Sequence, residues 1–273
     1  MNKESFFISL FNSKFIGDDA AFIDGFLYSS DAFFEDVHFK RDWISLYDIG
    51  YKSMLVNISD AIAMNAKPLY ALISIALPKD MNQYDMEILA SGIKDCAKKY
   101  GIKIVGGDTI SSNKIDISIT IISKTKKPIF RKKIKEGYLL AYTGELGSVK
   151  KDLDRLQRGY KISKNSKFKR PILRDAFMQK ANRYIKACMD ISDGLFDDLS
   201  KLSKLNRIGF DFFKKIPKRV GCSGEEYELL FAFDKRDLKK ILNISKKTRT
   251  PITIFAKAKR ESKFRNLCRP NHF

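Results

Sequence analysis

The chain is expected to fold as a mixed α/β (α+β) protein in two parts, and three observations lead there. Its 273 residues are enough for two ordinary cores, and 44% hydrophobic content with 12% aromatics is enough to fill them. Apolar runs of strand length alternate with longer runs of helical periodicity. A basic, proline-containing stretch, KTKKPIFRKKIKEG at 124–137, interrupts that alternation and marks the expected boundary, giving parts 1–130 and 131–273.

Residues 43–66, WISLYDIGYKSMLVNISDAIAMNA, read as a helix stopped by Pro68. The strand LYALISIAL follows. Residues 82–100 read as a second helix that ends at Gly101, and 102–105 as a short strand running into Gly106 and Gly107. The apolar residues of KIDISITIIS at 114–123 support another strand. Beyond the boundary, YLLAYTG reads as a strand, 174–187 as a helix, ACMDI as a strand and 194–205 as a helix. YELLFAF as a strand, a charged helix at 235–246 and PITIFA as a strand complete the pattern.

Charge and cysteine usage bound the function. There are 52 Lys and Arg against 32 Asp and Glu, a formal net charge of +20. The basic residues are spread along the chain (KKYGIK, FFKKIPKR, FDKRDLKK), without the aromatic-interleaved pattern of an RNA-binding sheet or a Cys/His finger. Nucleic acid is therefore not the expected partner. Cys96, Cys188, Cys222 and Cys268 are widely spaced, so reduced, mostly buried thiols are expected rather than a zinc site or disulfide framework. The longest apolar stretch, near Tyr70–Leu77, is too short to span a bilayer, and the N-terminus lacks a secretory pattern. A cytoplasmic protein with no membrane association is expected.

The acidic residues behave differently from the basic ones. They gather in GDDAAFID (Asp18, Asp19), SSDAFFEDVHF (Asp31, Glu35, Asp36), NISD (Asp60), GGDTISS (Asp108), MDISDG (Asp190, Asp193) and SGEEYE (Glu225, Glu226, Glu228). Singly, each has a plain reading: Asp18 and Asp19 as a turn, Asp60 on a solvated helix face, Asp197 and Asp198 complementing the dipole of the helix after Gly194. Their recurrence at the ends of apolar runs or beside glycine points instead to a hard cation such as Mg²⁺, which takes oxygen ligands. The GGD motif adds backbone that a phosphate can approach closely. Together these suggest nucleotide phosphate chemistry, yet there is no Walker loop, no protein-kinase signature and no G-x-G-x-x-G. A kinase or synthetase of another architecture is expected.

In order, GDDAA, SSD with VHF, NISDAIAMNAKP, GGDTISS, YTGELG, MDISDGL and GEEYELLF resemble the thiamine-monophosphate kinase family, within the aminoimidazole ribonucleotide synthetase-like superfamily, from about Gly17 to Phe231. The resemblance implies that ATP, as co-substrate, donates its γ-phosphoryl directly to thiamine monophosphate with Mg²⁺, giving thiamine diphosphate. It implies metal ligation by Asp19, Ser29, Ser30, Asp31, Asp60, Asp108, Asp190 and Asp193, with Asp31, Asp60, Asp108 and Asp190 carrying the catalysis. It implies nucleotide contacts from Gly107, Asp108, Arg131 and Ser192, and acceptor contacts from His38 and Glu225. It also implies a homodimer in which two N-terminal sheets pair, followed by a C-terminal α/β domain that completes the site.

The chain departs from the family pattern at several places. Asn65 stands where glycine is usual, and the segment between Leu195 and Gly224 is short. The terminal His272-Phe273 is kept without the upstream aromatic expected to stack on the substrate ring, for which Phe264 is the candidate substitute. Selenophosphate synthetase is the nearest rival, but it would carry a reactive Cys ahead of the first Asp motif, and no Cys precedes Cys96. Aminoimidazole ribonucleotide synthetase, the hydrogenase-maturation member and a basic nucleic-acid-binding protein remain as alternatives.

Overall fold

The computed structural model describes residues 3–260 and 263–268. The motif at 269–273, including His272 and Phe273, lies outside the described residues. Among the described residues no helix is long and apolar enough to cross a membrane.

After a short helix α1 (Lys3–Ser9), strands β1 (Ala21–Ile23) and β2 (Phe26–Phe34) form a hairpin. Helix α2 (Leu46–Ala63), strand β3 (Lys67–Pro78), helix α3 (Gln83–Tyr100) and strands β4 (Lys103–Ser112) and β5 (Asp116–Lys124) follow. The five strands make one sheet in the order β1-β2-β5-β3-β4. Only β3 and β4 run parallel, because the α3 crossover returns the chain to the same edge.

The second sheet is antiparallel throughout. Its strands are β6 (Leu139–Thr143), β7 (Ile185–Asp190), β8 (Gly209–Phe212), β9 (Leu229–Phe233) and β10 (Ile252–Lys259), in the order β7-β9-β6-β10-β8. Between them lie α4 (Ser148–Gln157), α5 (Asp175–Ala181), α6 (Leu195–Asn206), α7 (Lys218–Gly221) and α8 (Leu238–Lys247). Both faces of β9 are covered: Leu229, Phe231 and Phe233 join one core, while Leu230 and Ala232 join the other, together with Leu195 and Leu199 of α6. Two-sided burial explains why this strand reads as a continuous apolar run.

Helix α2 ties the two sheets together. Every residue from Asp48 to Ala63 is buried, and the helix packs on β2 and β5 of one sheet and β7 of the other. A helix with no solvated face can only sit inside the molecule. It also touches α3 at backbone distance, since a Cβ on Gly50 would lie 2.2 Å from Leu89 O and one on Gly92 2.1 Å from Tyr47 O.

Four local expectations are corrected. The β4 strand continues through Gly106 and Gly107 to Ser112, because its ladder with β3 persists from Leu72–Gly106 to Pro78–Ser112. The helix expected over 174–187 ends at Ala181, and Ile185–Asp190 instead pair with β9, an interaction forty residues away that local periodicity does not register. Phe264 is no ligand surface: it packs among Phe196, Phe210 and Phe212 in the second core. Cys222 and Cys268, expected as free thiols, form a disulfide across 46 positions, while Cys96 and Cys188 are free and buried.

Candidate active site

Four of the aspartates converge where α2 meets the ends of strands from both sheets. Asp60 lies near the C-terminus of α2, Asp190 ends β7, Asp19 sits in the turn before β1, and Asp31 is on β2. One carboxylate oxygen each from Asp19, Asp60 and Asp190 lies within 4.8 Å of the others. Asp31 is hydrogen-bonded to Asp60 and is itself positioned through its backbone N–H, which donates to Asn57 Oδ1 at 2.8 Å. Ser59 donates to Asp190 at 2.6 Å.

Burial is the main electrostatic fact of this cluster. It raises the carboxyls of Asp60 and Asp190, and their charged neighbours raise them further: Asp31, Asp190 and Asp19 around Asp60, and Asp19 foremost around Asp190. Asp31 is pushed up to about 6, first by burial and then by Asp19 and Asp193. Asp19 is raised by burial against the pull of Arg131, which holds it in an ion pair, with Arg131 Nε 3.2 Å from its Oδ1. The Arg131 backbone N–H donates to Asp18 at 2.6 Å, and Asp18 is pushed up to about 6 by burial.

These acids line a cleft of about 730 Å³ together with His38, Ser192, Asp193, Lys201, Glu225 and Tyr227. A second cavity of about 800 Å³ adjoins it, sharing His38, Ser192 and Glu225. Phe34 N–H donates to His38 Nδ1 at 3.0 Å, so the neutral ring carries its proton on Nε2. The VHF segment is a tight turn rather than a strand, closed by Asp36 N–H on Phe39 O at 2.7 Å.

The donor set suits a hard cation. Asp19 Oδ2 is buried with no hydrogen-bond partner among the described residues. An unsatisfied carboxylate oxygen beside two further buried carboxylates is a costly arrangement that a bound hard cation such as Mg²⁺ would relieve.

The family model described as the AIR synthase related protein N-terminal domain matches residues 17–125. A thiamine-monophosphate kinase from Aquifex aeolicus is 30% identical over 251 residues, covering 82% of each chain. Another from Buchnera aphidicola subsp. Schizaphis graminum is 33% identical over 260 residues, covering 84% of this chain and 79% of that one. The chain belongs to the thiamine-monophosphate kinase family. Among solved structures, AaThiL complexed with AMPPCP and TMP superposes with a TM-score of 0.84 at 26% identity, covering 95% of this chain and 90% of that chain.

Within this thiamine-monophosphate kinase family member, the remaining expected residues are placed differently. Pairing across the first sheet runs Asp31–Ile119–Ile73–Gly107 in one row and Ala32–Ser118–Ser74–Asp108 in the next. Successive rows face opposite sides. Ser29 therefore shares the α2 side with Asp31, and its hydroxyl donates to Asn57 O at 3.4 Å, whereas Ser30 and Asp108 lie on the outer face. There Ser30 accepts from Thr120 at 3.0 Å, and Asp108 from the Thr109 N–H at 2.9 Å. Asp193 belongs to a second acidic group with Asp197 and Asp198, held around Lys201.

The SGEEYE acids divide as well. Glu226 pairs with Lys167 at 2.9 Å and accepts from Gly147 N–H at 2.6 Å; Glu228 takes a two-pronged contact from Arg174, both bonds 2.6 Å. Both carboxylates are fully buried and are held in structural ion pairs. Glu225 faces the cleft in a left-handed backbone conformation, φ 54°, as does Tyr227 at φ 51°.

Lys52 was not singled out from the sequence, although a lysine just before the apolar Met54–Val56 run is a readable signal. It is completely enclosed and bonds Glu225 at 2.6 Å. Trp43 and Lys201 line the two cavities without any motif to announce them, whereas Tyr227 lies within the GEEYELLF motif.

Proposed function

We propose that the chain phosphorylates thiamine monophosphate with ATP, giving thiamine diphosphate and ADP. The observation that carries this reading is the buried group Asp19, Asp31, Asp60 and Asp190 at the floor of a cleft, in a chain related over most of its length to thiamine-monophosphate kinases. A terminal oxygen of the acceptor phosphate attacks the γ-phosphorus, the bond from that phosphorus to the β,γ-bridging oxygen breaks, and ADP leaves. The acceptor phosphate is already ionised at neutral pH, so no general base is needed.

Asp19, Asp31, Asp60 and Asp190 would hold Mg²⁺, with Ser29 and Asp193 as further ligands; Ser30 and Asp108, on the outer face of the first sheet, would ligate a metal only at a contact with a second copy. Bound Mg²⁺ neutralises the charge that accumulates between the two phosphate groups. This chain's own residues position the reactants: Arg131, Ser192 and the Gly107–Asp108 backbone for the nucleotide, His38 and Glu225 for the acceptor. Two domains, 1–130 and 131–273, would close the cleft between them. A cytoplasmic setting fits the substrates.

A homodimer belongs to the same reading. Tyr70, Leu72, Ile104, Val105 and Ile110 leave the outer face and edge of the first sheet exposed, an apolar surface that a second copy of the sheet would cover. Ser30 and Asp108 would then lie at that contact.

The test is incubation with Mg-ATP and thiamine monophosphate, with the thiamine species resolved and Asp60→Asn run in parallel. Thiamine diphosphate from the wild type and its loss in the variant are expected. Absence of thiamine diphosphate from the wild type would overturn the proposal.

A further inference from the structure

The second cavity is built unlike the acidic cleft. Phe39, Trp43 and Phe168 line it together with Val149, Leu153 and Leu156 of α4. Trp43 is partly exposed, its indole edge-on to Phe168 at 6.1 Å, and Lys40 Nζ lies 5.5 Å from the indole centroid. The indole face in this cavity thus already attracts a cation. Asp36, Asp42, Glu225, Lys40 and Lys150 give the lining charges of both signs, and of these Asp36 pairs with Lys114, Lys150 with Asp154 and Glu225 with Lys52. The volume, about 800 Å³, suits a small planar ligand, and a ligand with its anionic end at the acidic cleft passes His38, Ser192 and Glu225 on the way in.

We infer that Trp43 is the aromatic surface that receives the ring end of the phosphorylated acceptor, a planar heteroaromatic cation. The inference rests on the proposed function and deepens it. The phosphate end lies in the acidic cleft, and the ring passes between His38 and Glu225 to stack on the indole, displacing Lys40 from its face. Phe264, the aromatic near the end of the described chain, is committed to the second core, whereas Trp43 lines the cavity that adjoins the acidic cleft.

Trp43 is the chain's single tryptophan, so its emission reports on this cavity alone. The full chain with Mg²⁺ and no ATP is titrated with thiamine monophosphate, free thiamine and inorganic phosphate. Saturable quenching by the first, weaker quenching by the second and none by the third are expected. In turnover assays Trp43→Ala raises KM for thiamine monophosphate about tenfold, while Trp43→Phe keeps it within about threefold and KM for ATP stays in place in both. Turnover with unmoved Trp43 emission and an unchanged KM in Trp43→Ala overturns the inference and leaves the function standing. Quenching by thiamine without any thiamine diphosphate formed overturns the function and leaves the ring site standing.

Discussion

Lys52 Nζ lies 2.6 Å from Glu225 Oε2, joining the centre of the buried helix α2 to the strained turn that borders both cavities. The Lys52 side chain is wholly enclosed, with its ammonium 4.3 Å from the Phe168 ring centroid and 5.5 Å from that of Phe33, whereas Glu225 keeps 23% of its side chain exposed. The two ends of the pair are therefore unequal. Glu225→Ala strands a buried ammonium and should destabilise the protein by about 3 kcal/mol or more, while Lys52→Met leaves a carboxylate that water can reach and should cost about 1–2 kcal/mol. Urea unfolding of the two variants measures the difference; equal costs would mean that Lys52 finds another partner. Lys52→Met should also raise KM for thiamine monophosphate more than KM for ATP, because it releases Glu225.

Gly107 and Gly106 are adjacent in β4 but not equivalent. A Cβ on Gly107, φ 150°, would lie 1.7 Å from Ile73 O, in the backbone of the neighbouring strand; one on Gly106 meets only Leu72 Cδ2 at 3.5 Å. Gly107→Ala should lose about 3 kcal/mol or more through disruption of the β3–β4 ladder, and Gly106→Ala clearly less. Thermal unfolding of the pair decides whether the GGD motif is required by the sheet as well as by a nucleotide.

The buried acids make stability depend on pH in a definite direction. Asp31, Asp60 and Asp190 have raised carboxyls, so the folded state holds protons that the unfolded chain has already released. Their contribution to stability is full below the unfolded value of 3.8 and is lost as pH rises through the folded values, about 6 for Asp31. Without divalent ions the melting temperature should therefore fall between pH 5 and pH 7.5, and Mg²⁺ should restore more of it at pH 7.5. Asp60→Asn, which removes one of the mutually repelling charges, should flatten this fall and abolish turnover together. A metal-free protein equally stable at both pH values would contradict the cluster's electrostatics.

Lys201 occupies the place of a cation between Asp193, Asp197 and Asp198, at 3.2 Å from Asp197 and 3.1 Å from Asp198. Asp198 is fully buried, pushed up to about 7 by burial, and its Oδ2 has no hydrogen-bond partner among the described residues. Lys201→Ala should destabilise the metal-free protein by about 3 kcal/mol and add a binding event for Mn²⁺ over the wild type in calorimetric titration. An unchanged stoichiometry would show that the three carboxylates do not form a cation site once the ammonium is gone.

Much of the architecture was legible because its causes are local. The helix over 43–66 was legible from its periodicity and from Pro68, although its complete burial was not, since Asp60 read singly as lying on a solvated face; Gly101 closes α3 in a left-handed turn at φ 68°, and the apolar positions of 116–124 specify β5. The short ACMDI strand was legible too, although its first two residues, Ile185 and Lys186, were absorbed into a helix. The clustering of Asp19, Asp31, Asp60 and Asp190 was foreshadowed by their recurrence beside glycines and at the ends of apolar runs.

The sequence by itself determined the mixed strand-and-helix composition, the identity of the acids and the family to which their order belongs, because these follow from residue type and near-neighbour spacing. Only the tertiary structure decided what each acid does. Glu226 and Glu228 are absorbed by Lys167 and Arg174, Asp193 by Lys201, and Glu225 is held by a lysine 173 positions away. The same holds for the outward placement of Ser30 and Asp108, which depends on cross-strand register, and for the pairing of Cys222 with Cys268. Charge partners and sheet faces are set by contacts between distant segments, and a carboxylate's chemistry depends on which cation reaches it first after the chain has packed.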